Sequence, residues 1–157
     1  MKKDKQMNAK KRILSFFIAI CTLLCLPVGA SALSEPGSDE FFADRDLIAR
    51  AIEKTAPDAS YVARLAVASV IVNRVKSKRF PNDVRAVIYE RGEFECVRAS
   101  DFETCAPSYL SRVAARDALL GFDVTSGALY YKRGHISESD GTCFFHSGFL
   151  FYKERPA

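Results

Sequence analysis

The first regular pattern of apolar positions after residue 33 has the spacing of an amphipathic helix. Asp44 or Asp46 can cap this helix at its start. Pro57 ends it near Thr55 or Ala56, because proline disfavours helical geometry in the residue before it. The sequence therefore predicts a helix with one buried face that ends shortly before Pro57. The buried face consists of Leu47, Ile48, Ala51 and Ile52.

The second apolar pattern is continuous rather than one-sided. Ser60 can cap a helix from Tyr61 to about Val75, and the middle of this segment reads L-A-V-A-S-V-I-V. Because a helix that is apolar on every side must be surrounded by other elements, we predict that it lies at the centre of the core. A short helix is expected next, capped by Asn82 or Asp83.

Near the C-terminus the pattern changes from helices to strands. A third long helix is predicted from Ser108 to Leu120, with Gly121 just past its last turn. The aromatic-rich segments 128–132 and 143–152 favour strands, and the polar segment between them contains a D-G turn signal. Helices followed by a hairpin indicate an α+β domain.

Residues 1–32 have the parts of a secretory signal peptide. A basic start precedes the apolar run Ile13–Leu26, and an A-S-A sequence ends at Ala32. The run is shorter than the roughly 20 residues that span a bilayer. We therefore predict export with cleavage after Ala32, and an uncleaved membrane anchor is the alternative. Residues 33–45 are expected to form a flexible lead, and residues 46–157 the folded domain.

The net positive charge of the chain comes from the predicted signal peptide. Residues 1–32 hold six of the 23 Lys and Arg residues and one of the 19 Asp and Glu residues, so the remainder is close to neutral. A nucleic-acid-binding surface is therefore not indicated. The sequence has no phosphate-binding glycine loop, and we predict no cofactor.

Three cysteines follow the predicted signal peptide. Cys96 and Cys105 could close a small loop as a disulfide, which would contribute roughly 2 to 3 kcal/mol in an oxidising compartment. The cysteines and the two histidines lack C-x-x-C or H-x-x-x-H spacing, so no metal site is predicted. Cys143 with His135 or His146 could form a nucleophile and base, but nothing beyond the residue types supports that pairing.

Three longer stretches carry a more specific signal. They read A-R-L-A-V-A-S-V-I-V-N-R-V-K-S-K-R-F-P-N-D-V-R-A-V-I-Y at 63–89, E-R-G-E-F-E-C-V at 90–97 and A-A-R-D-A-L-L-G-F-D-V-T-S-G-A-L-Y-Y at 114–131. In order and spacing they resemble the catalytic domain of the SleB-like cell wall hydrolases, the spore-cortex-lytic enzymes. The resemblance covers about residues 46–152.

The resemblance implies a lysozyme-like, lytic-transglycosylase-type single domain, mainly helical with a C-terminal β-hairpin. It implies peptidoglycan glycan strands as the partner, in the cell wall or the spore cortex. It also implies cleavage between muramic acid and glucosamine units by a single carboxylic acid. That acid protonates the glycosidic oxygen, and the resulting carboxylate then accepts a proton from a hydroxyl of the sugar itself.

The chain departs from the family at the position of this acid. The family's A-E-A-R-G-E corresponds to K-T-A-P-D-A here, so the acid falls on Thr55, and a threonine cannot protonate a leaving group near neutral pH. Glu53 is a candidate only if the last turn unwinds, because two helical residues differ by about 200°. Glu95, in the loop that the family places in its cleft, and Asp58 are further candidates. A chain without a competent acid is the remaining alternative.

The family also suggests residues that contact substrate. These are Thr55, Asn73, Phe94 and Tyr130, although only one of Tyr130 and Tyr131 can face the cleft and Asn73 could be a structural tie. Two hypotheses follow. The first is an exported peptidoglycan hydrolase with a relocated acid, and the second is a non-catalytic peptidoglycan-binding or regulatory module on the same fold.

Overall fold

A computed structural model describes residues 33–135 and 144–155 of the 157-residue chain. The predicted signal peptide lies outside the described residues, as does Cys143. Within the described ranges, no helix combines the length and the apolar character needed to cross a membrane.

The first helix, α1, spans Asp39–Thr55 and begins earlier than predicted. The Ser38 hydroxyl accepts a hydrogen bond from the backbone N–H of Phe41 at 3.0 Å and thereby caps the helix. Phe41 is buried in the core, which fixes this first turn against the domain. The predicted cap at Asp44 or Asp46 is therefore wrong, and residues 39–45 are helical rather than part of a flexible lead.

The central helix, α2, spans Tyr61–Lys76 and is buried along most of its length, as the sequence predicts. The Ser60 hydroxyl caps it by accepting from the Ala63 N–H at 3.4 Å. A short helix, α3, follows at Val84–Ile88, capped by Asp83. Both α1 and α3 pack against α2, so α2 forms the centre of the core.

A 3₁₀ turn at Glu95–Arg98 leads into a loop that ends at the fourth helix, α4, Tyr109–Leu119. Ser108 caps α4, and Gly121 follows it with a φ of +98°, a conformation that glycine adopts without strain. Helix α4 packs on both α1 and α2.

The C-terminal sheet has three antiparallel strands in the order β1-β3-β2. They are β1 Tyr130–Arg133, β2 Phe144–His146 and β3 Phe149–Tyr152. The predicted strand 143–152 is in fact a hairpin, because Ser147 and Gly148 both have positive φ and form a two-residue turn. The predicted fold class is confirmed, with a three-stranded sheet in place of the two-stranded hairpin.

Side chains along each strand alternate between the two faces of this sheet. Tyr130 pairs with Tyr152, and Tyr131 pairs with Phe151. Because successive side chains point to opposite faces, Tyr131 packs against the helical core while Tyr130 belongs to a smaller cluster with Leu150 and Tyr152.

Candidate functional site

An open groove of about 630 Å³ lies between the end of α1, the loop before the 3₁₀ turn and strand β1. Its position brings together three segments that are far apart in the sequence. We call this cavity the groove, and it is lined by Lys54, Thr55, Gly92, Glu93, Glu95, Cys96, Tyr131, Lys132, Arg133 and Phe149.

Thr55 lines the groove at the last turn of α1 and contacts groups from the other two segments. Its side chain lies close to the Tyr131 hydroxyl and the Cys96 thiol, near enough to favour the ionised form of each. Burial raises the pKa of Tyr131 to about 12 and also raises the pKa of the Cys96 thiol. The groove at Thr55 therefore presents neutral hydroxyl and thiol groups, which can exchange hydrogen bonds with a sugar.

Glu53 does not line the groove. Its carboxylate accepts hydrogen bonds from Arg64 at 2.9 Å, from the Ser108 hydroxyl at 2.7 Å and from the Ser111 hydroxyl at 2.7 Å. Burial alone would raise the pKa of Glu53, but the serine hydrogen bonds and the Arg64 charge outweigh it and lower the pKa to about 2. α1 remains helical to Thr55, so the unwinding that Glu53 would need does not occur.

Two other glutamates line the groove, and they differ in how far they are exposed to solvent. Glu95 is exposed and lines the groove. Glu93 is largely buried and forms ion pairs with Arg155 and with Arg74, the latter at 2.8 Å. Burial would raise the pKa of Glu93, but the hydrogen bond from Arg155 and the charge of Arg74 outweigh it and lower the pKa. Glu93 was not singled out from the sequence, because its partners come from distant parts of the chain.

Asp58 is exposed and lines a second cavity, of about 280 Å³, beside the groove. We call this cavity the side pocket. It shares Arg133 and Phe149 with the groove. Its remaining lining residues are Ala56, Pro57, Asp58, Ala59, Ser60 and Ser147.

Asn73 holds a loop in place and does not line the groove. Its amide Nδ2 donates to the Asp123 carboxylate at 3.1 Å and to the backbone oxygen of Ala128 at 3.2 Å. These bonds connect the buried helix α2 to the segment that leads into β1. Asn73 therefore acts as a structural tie, which is one of the two roles that the sequence left open.

Phe94 and Tyr130, both expected to contact substrate, are buried away from the groove. Phe94 is 2% exposed and lies between Arg74 and Tyr131. Tyr130 is 8% exposed and packs on the opposite face of the sheet, against Phe80. Of the two adjacent tyrosines, Tyr131 is the one that lines the groove. Alternation along the strand predicts that the two differ but does not say which faces inward.

The basic residues at the groove are partly engaged with other groups. Lys54 forms an ion pair with Asp101 at 2.5 Å, which fastens the loop after the 3₁₀ turn to α1. Arg133 donates from Nη2 to the backbone oxygen of Thr55 at 2.7 Å and lies over the Phe149 ring. Arg133 therefore fixes the end of α1 against the sheet, where the groove and the side pocket meet.

Cys96 and Cys105 are both free thiols in the structure, so the disulfide that the sequence allowed is not formed. Among the described residues, no group of three or more His, Cys, Asp or Glu side chains could hold a metal ion. The resemblance did not point to Cys96 as a groove residue.

Comparison with known protein families gives one match that covers more than half of the chain. The model of a family described as Cell Wall Hydrolase matches residues 58–147. The match begins after Thr55, so the end of α1 lies outside it. The resemblance inferred from the sequence motifs is confirmed.

The curated relatives are longer proteins. The spore cortex-lytic enzyme of Bacillus cereus is 39% identical over 88 residues, which cover 56% of this chain and 34% of that protein. The spore cortex-lytic enzyme of Bacillus subtilis is 36% identical over 104 residues, which cover 65% of this chain and 33% of that protein. The chain thus matches about a third of the length of these relatives.

Two solved structures share the fold. The catalytic domain of the Bacillus cereus SleB protein superposes with a TM-score of 0.68 at 30% identity, covering 80% of this chain and 99% of that domain. The catalytic domain of the germination-specific lytic transglycosylase SleB from Bacillus anthracis gives a TM-score of 0.66 at 30% identity, covering 76% and 100%. The described fold therefore matches nearly the whole of a SleB catalytic domain.

Proposed function

Since the chain belongs to the cell wall hydrolase family, we propose that it binds peptidoglycan glycan strands in the groove and cleaves them by lytic transglycosylase chemistry. The observation that carries this proposal is the groove itself. It joins neutral hydrogen-bonding groups at Thr55 and Tyr131 to an exposed carboxyl group at Glu95, on a fold shared with SleB catalytic domains.

Glu95 is the acid that this proposal assigns. In its protonated form it gives a proton to the glycosidic oxygen as the bond to the anomeric carbon breaks. A hydroxyl of the same sugar then attacks the anomeric carbon and returns its proton to the Glu95 carboxylate. The products are a shortened strand and an anhydro sugar end, and the enzyme finishes in its starting protonation state.

The other carboxylates at or near the groove are poorly suited to this role. Glu53 and Glu93 are each held in the charged form by arginine, and a general acid must carry a proton at the start of the reaction. Asp58 lines the side pocket rather than the groove. Of the candidate acids drawn from the sequence, Glu95 is therefore the one that lines the groove and forms no ion pair with an arginine among the described residues.

A second function, glycan binding without cleavage, is favoured by one specific observation. Where the resemblance places the family's acid, this chain has the Thr55 hydroxyl in contact with Tyr131 and Cys96. Such a surface can hold a sugar but cannot protonate a glycosidic oxygen. The chain would then act as a peptidoglycan-binding or regulatory module.

Mass spectrometry of soluble fragments separates the two functions. The purified protein is incubated with spore cortex and with vegetative peptidoglycan, alongside the variants Glu95→Gln, Glu35→Gln and Thr55→Glu. Anhydromuramic ends from the wild type and from Glu35→Gln, lost in Glu95→Gln, support cleavage from Glu95. If the wild type releases nothing while Thr55→Glu does, the chain retains the groove and has lost the acid.

The proposed place of action follows from the predicted leader. We propose that the protein is exported, with cleavage after Ala32, and acts in the cell wall or the spore envelope. Intact-mass measurement of the protein recovered from its native host tests this directly, since a chain that begins at residue 33 is expected and a full-length chain would contradict cleavage.

A further inference from the structure

A serine and a histidine from distant parts of the chain meet beside the side pocket. Ser60 Oγ and His146 Nε2 are 2.9 Å apart, and both residues are at least partly exposed to solvent. Ser60 precedes α2, and His146 ends β2 just before the turn at Ser147 and Gly148. The hairpin turn thus brings a potential base to a potential nucleophile.

Three groups surround the Ser60 hydroxyl, and His146 is the nearest of them. Ser60 Oγ accepts from the Ala63 N–H at 3.4 Å, and it lies 2.9 Å from His146 Nε2 and 3.5 Å from the Ser147 hydroxyl oxygen. In the tautomer that carries its proton on Nδ1, His146 accepts the Ser60 proton at Nε2. The His146 ring is stacked on Phe144 with an interplanar angle of 17°, which helps to fix its orientation. A serine hydroxyl within hydrogen-bonding distance of an imidazole nitrogen has the arrangement of a nucleophile and its general base.

We propose that Ser60 and His146 form a hydrolytic pair that removes short acyl esters from sugar hydroxyls. The substrate class follows from the location, and this part of the inference rests on the proposed function. The side pocket has a volume of about 280 Å³ and shares Arg133 and Phe149 with the groove. A glycan in the groove would therefore place small substituents beside Ser60.

Hydrolysis of the ester requires water as the only other reactant. Ser60 Oγ attacks the ester carbonyl carbon while His146 Nε2 takes the serine proton. The bond from the acyl carbon to the sugar oxygen breaks, and that oxygen receives the proton from His146. Water then attacks the acylated Ser60 with the same histidine as base, which releases a carboxylic acid and restores the serine.

Hydrolysis of p-nitrophenyl acetate by the purified protein tests the pair, and p-nitrophenyl acetate does not require the groove. Ser60→Asp removes the nucleophile but keeps a good helix cap, since aspartate caps helices as well as serine does. Ser60→Asp and His146→Gln are each expected to lower the rate at least about 100-fold. The matched controls, Ser100→Ala and His135→Gln, are expected to retain the wild-type rate. Mass spectrometry should find an acetyl group on the peptide that contains Ser60.

Two results would contradict a hydrolytic role for Ser60 and His146. The first is that the wild type hydrolyses p-nitrophenyl acetate no faster than buffer does. The second is that Ser60→Asp keeps the wild-type rate while its thermal melt shows that it is folded. A second assay measures acetate released from O-acetylated peptidoglycan. Hydrolysis of p-nitrophenyl acetate without acetate release would overturn the glycan-ester assignment while supporting the pair. Glycan binding in the groove without any Ser60-dependent hydrolysis would overturn the pair and leave the proposed function standing.

Discussion

The ion pair between Glu53 and Arg64 gives a quantitative prediction about stability. The two side chains are 20% and 6% exposed, and their charged atoms are 2.9 Å apart. The pKa of Glu53 falls from its ordinary 4.5 to about 2. Since one pKa unit corresponds to about 1.4 kcal/mol, the ionised carboxylate stabilises the folded state by about 3 kcal/mol at pH 7.

Glu53→Gln is therefore expected to lower the free energy of unfolding by about 3 kcal/mol at pH 7, because it leaves the buried Arg64 without its counter-charge. The sign of the pH dependence follows from the lowered pKa. The stabilisation is complete above about pH 4.5, where the unfolded carboxyl is ionised, and is lost as the pH falls toward about 2. At pH 3.5 the difference between wild type and variant should shrink to about 2 kcal/mol.

Urea unfolding followed by circular dichroism at both pH values measures this effect. Glu35→Gln is the matched control, since Glu35 is an exposed glutamate ahead of α1. The reasoning is refuted if Glu53→Gln costs no more than Glu35→Gln at pH 7. It is also refuted if the cost stays constant between pH 7 and pH 3.5.

Two further predictions follow, one for the loop that leads into β1 and one for the groove. Asn73→Ala removes the hydrogen bonds from Asn73 to that loop and should lower the free energy of unfolding by about 1 to 2 kcal/mol in urea. Asn82→Ala at an exposed turn should change it by less than about 0.5 kcal/mol. Equal effects would contradict the structural tie. Tyr131→Phe removes a hydroxyl that stays protonated up to a pKa of about 12, and it should weaken binding of a soluble glycan about 5-fold by calorimetry. Unchanged affinity would mean that this hydroxyl does not contact the sugar.

The helices could be predicted from the sequence because their apolar patterns and caps are local. The start of α1 could not, since Pro36 and Gly37 favour a turn and hide the cap at Ser38. Burial of Phe41 by the rest of the domain decides that the helix begins there. The aromatic-rich pattern of segment 143–152 predicts one strand, whereas the S-G turn signal at 147–148 divides it into two.

The candidate site was predictable only in part. Helical geometry correctly indicated that Glu53 points away from the position of Thr55, because both lie on one continuous helix. The partners of Glu53 and Glu93 could not be inferred, since Arg64, Ser108 and Arg155 meet them only through tertiary packing. Packing of one sheet face against the helical core decides that Tyr131, rather than Tyr130, lines the groove.

The most direct test of the account is to map where a glycan strand binds. Backbone amide resonances of the protein are recorded by nuclear magnetic resonance while a soluble tetrasaccharide of alternating glucosamine and muramic acid units is added. Binding in the groove predicts shift changes confined to the segments that line it, around Thr55, Glu95 and Tyr131. Absence of changes there, or changes concentrated on another surface such as the exposed residues Tyr109 and Phe122, would contradict it.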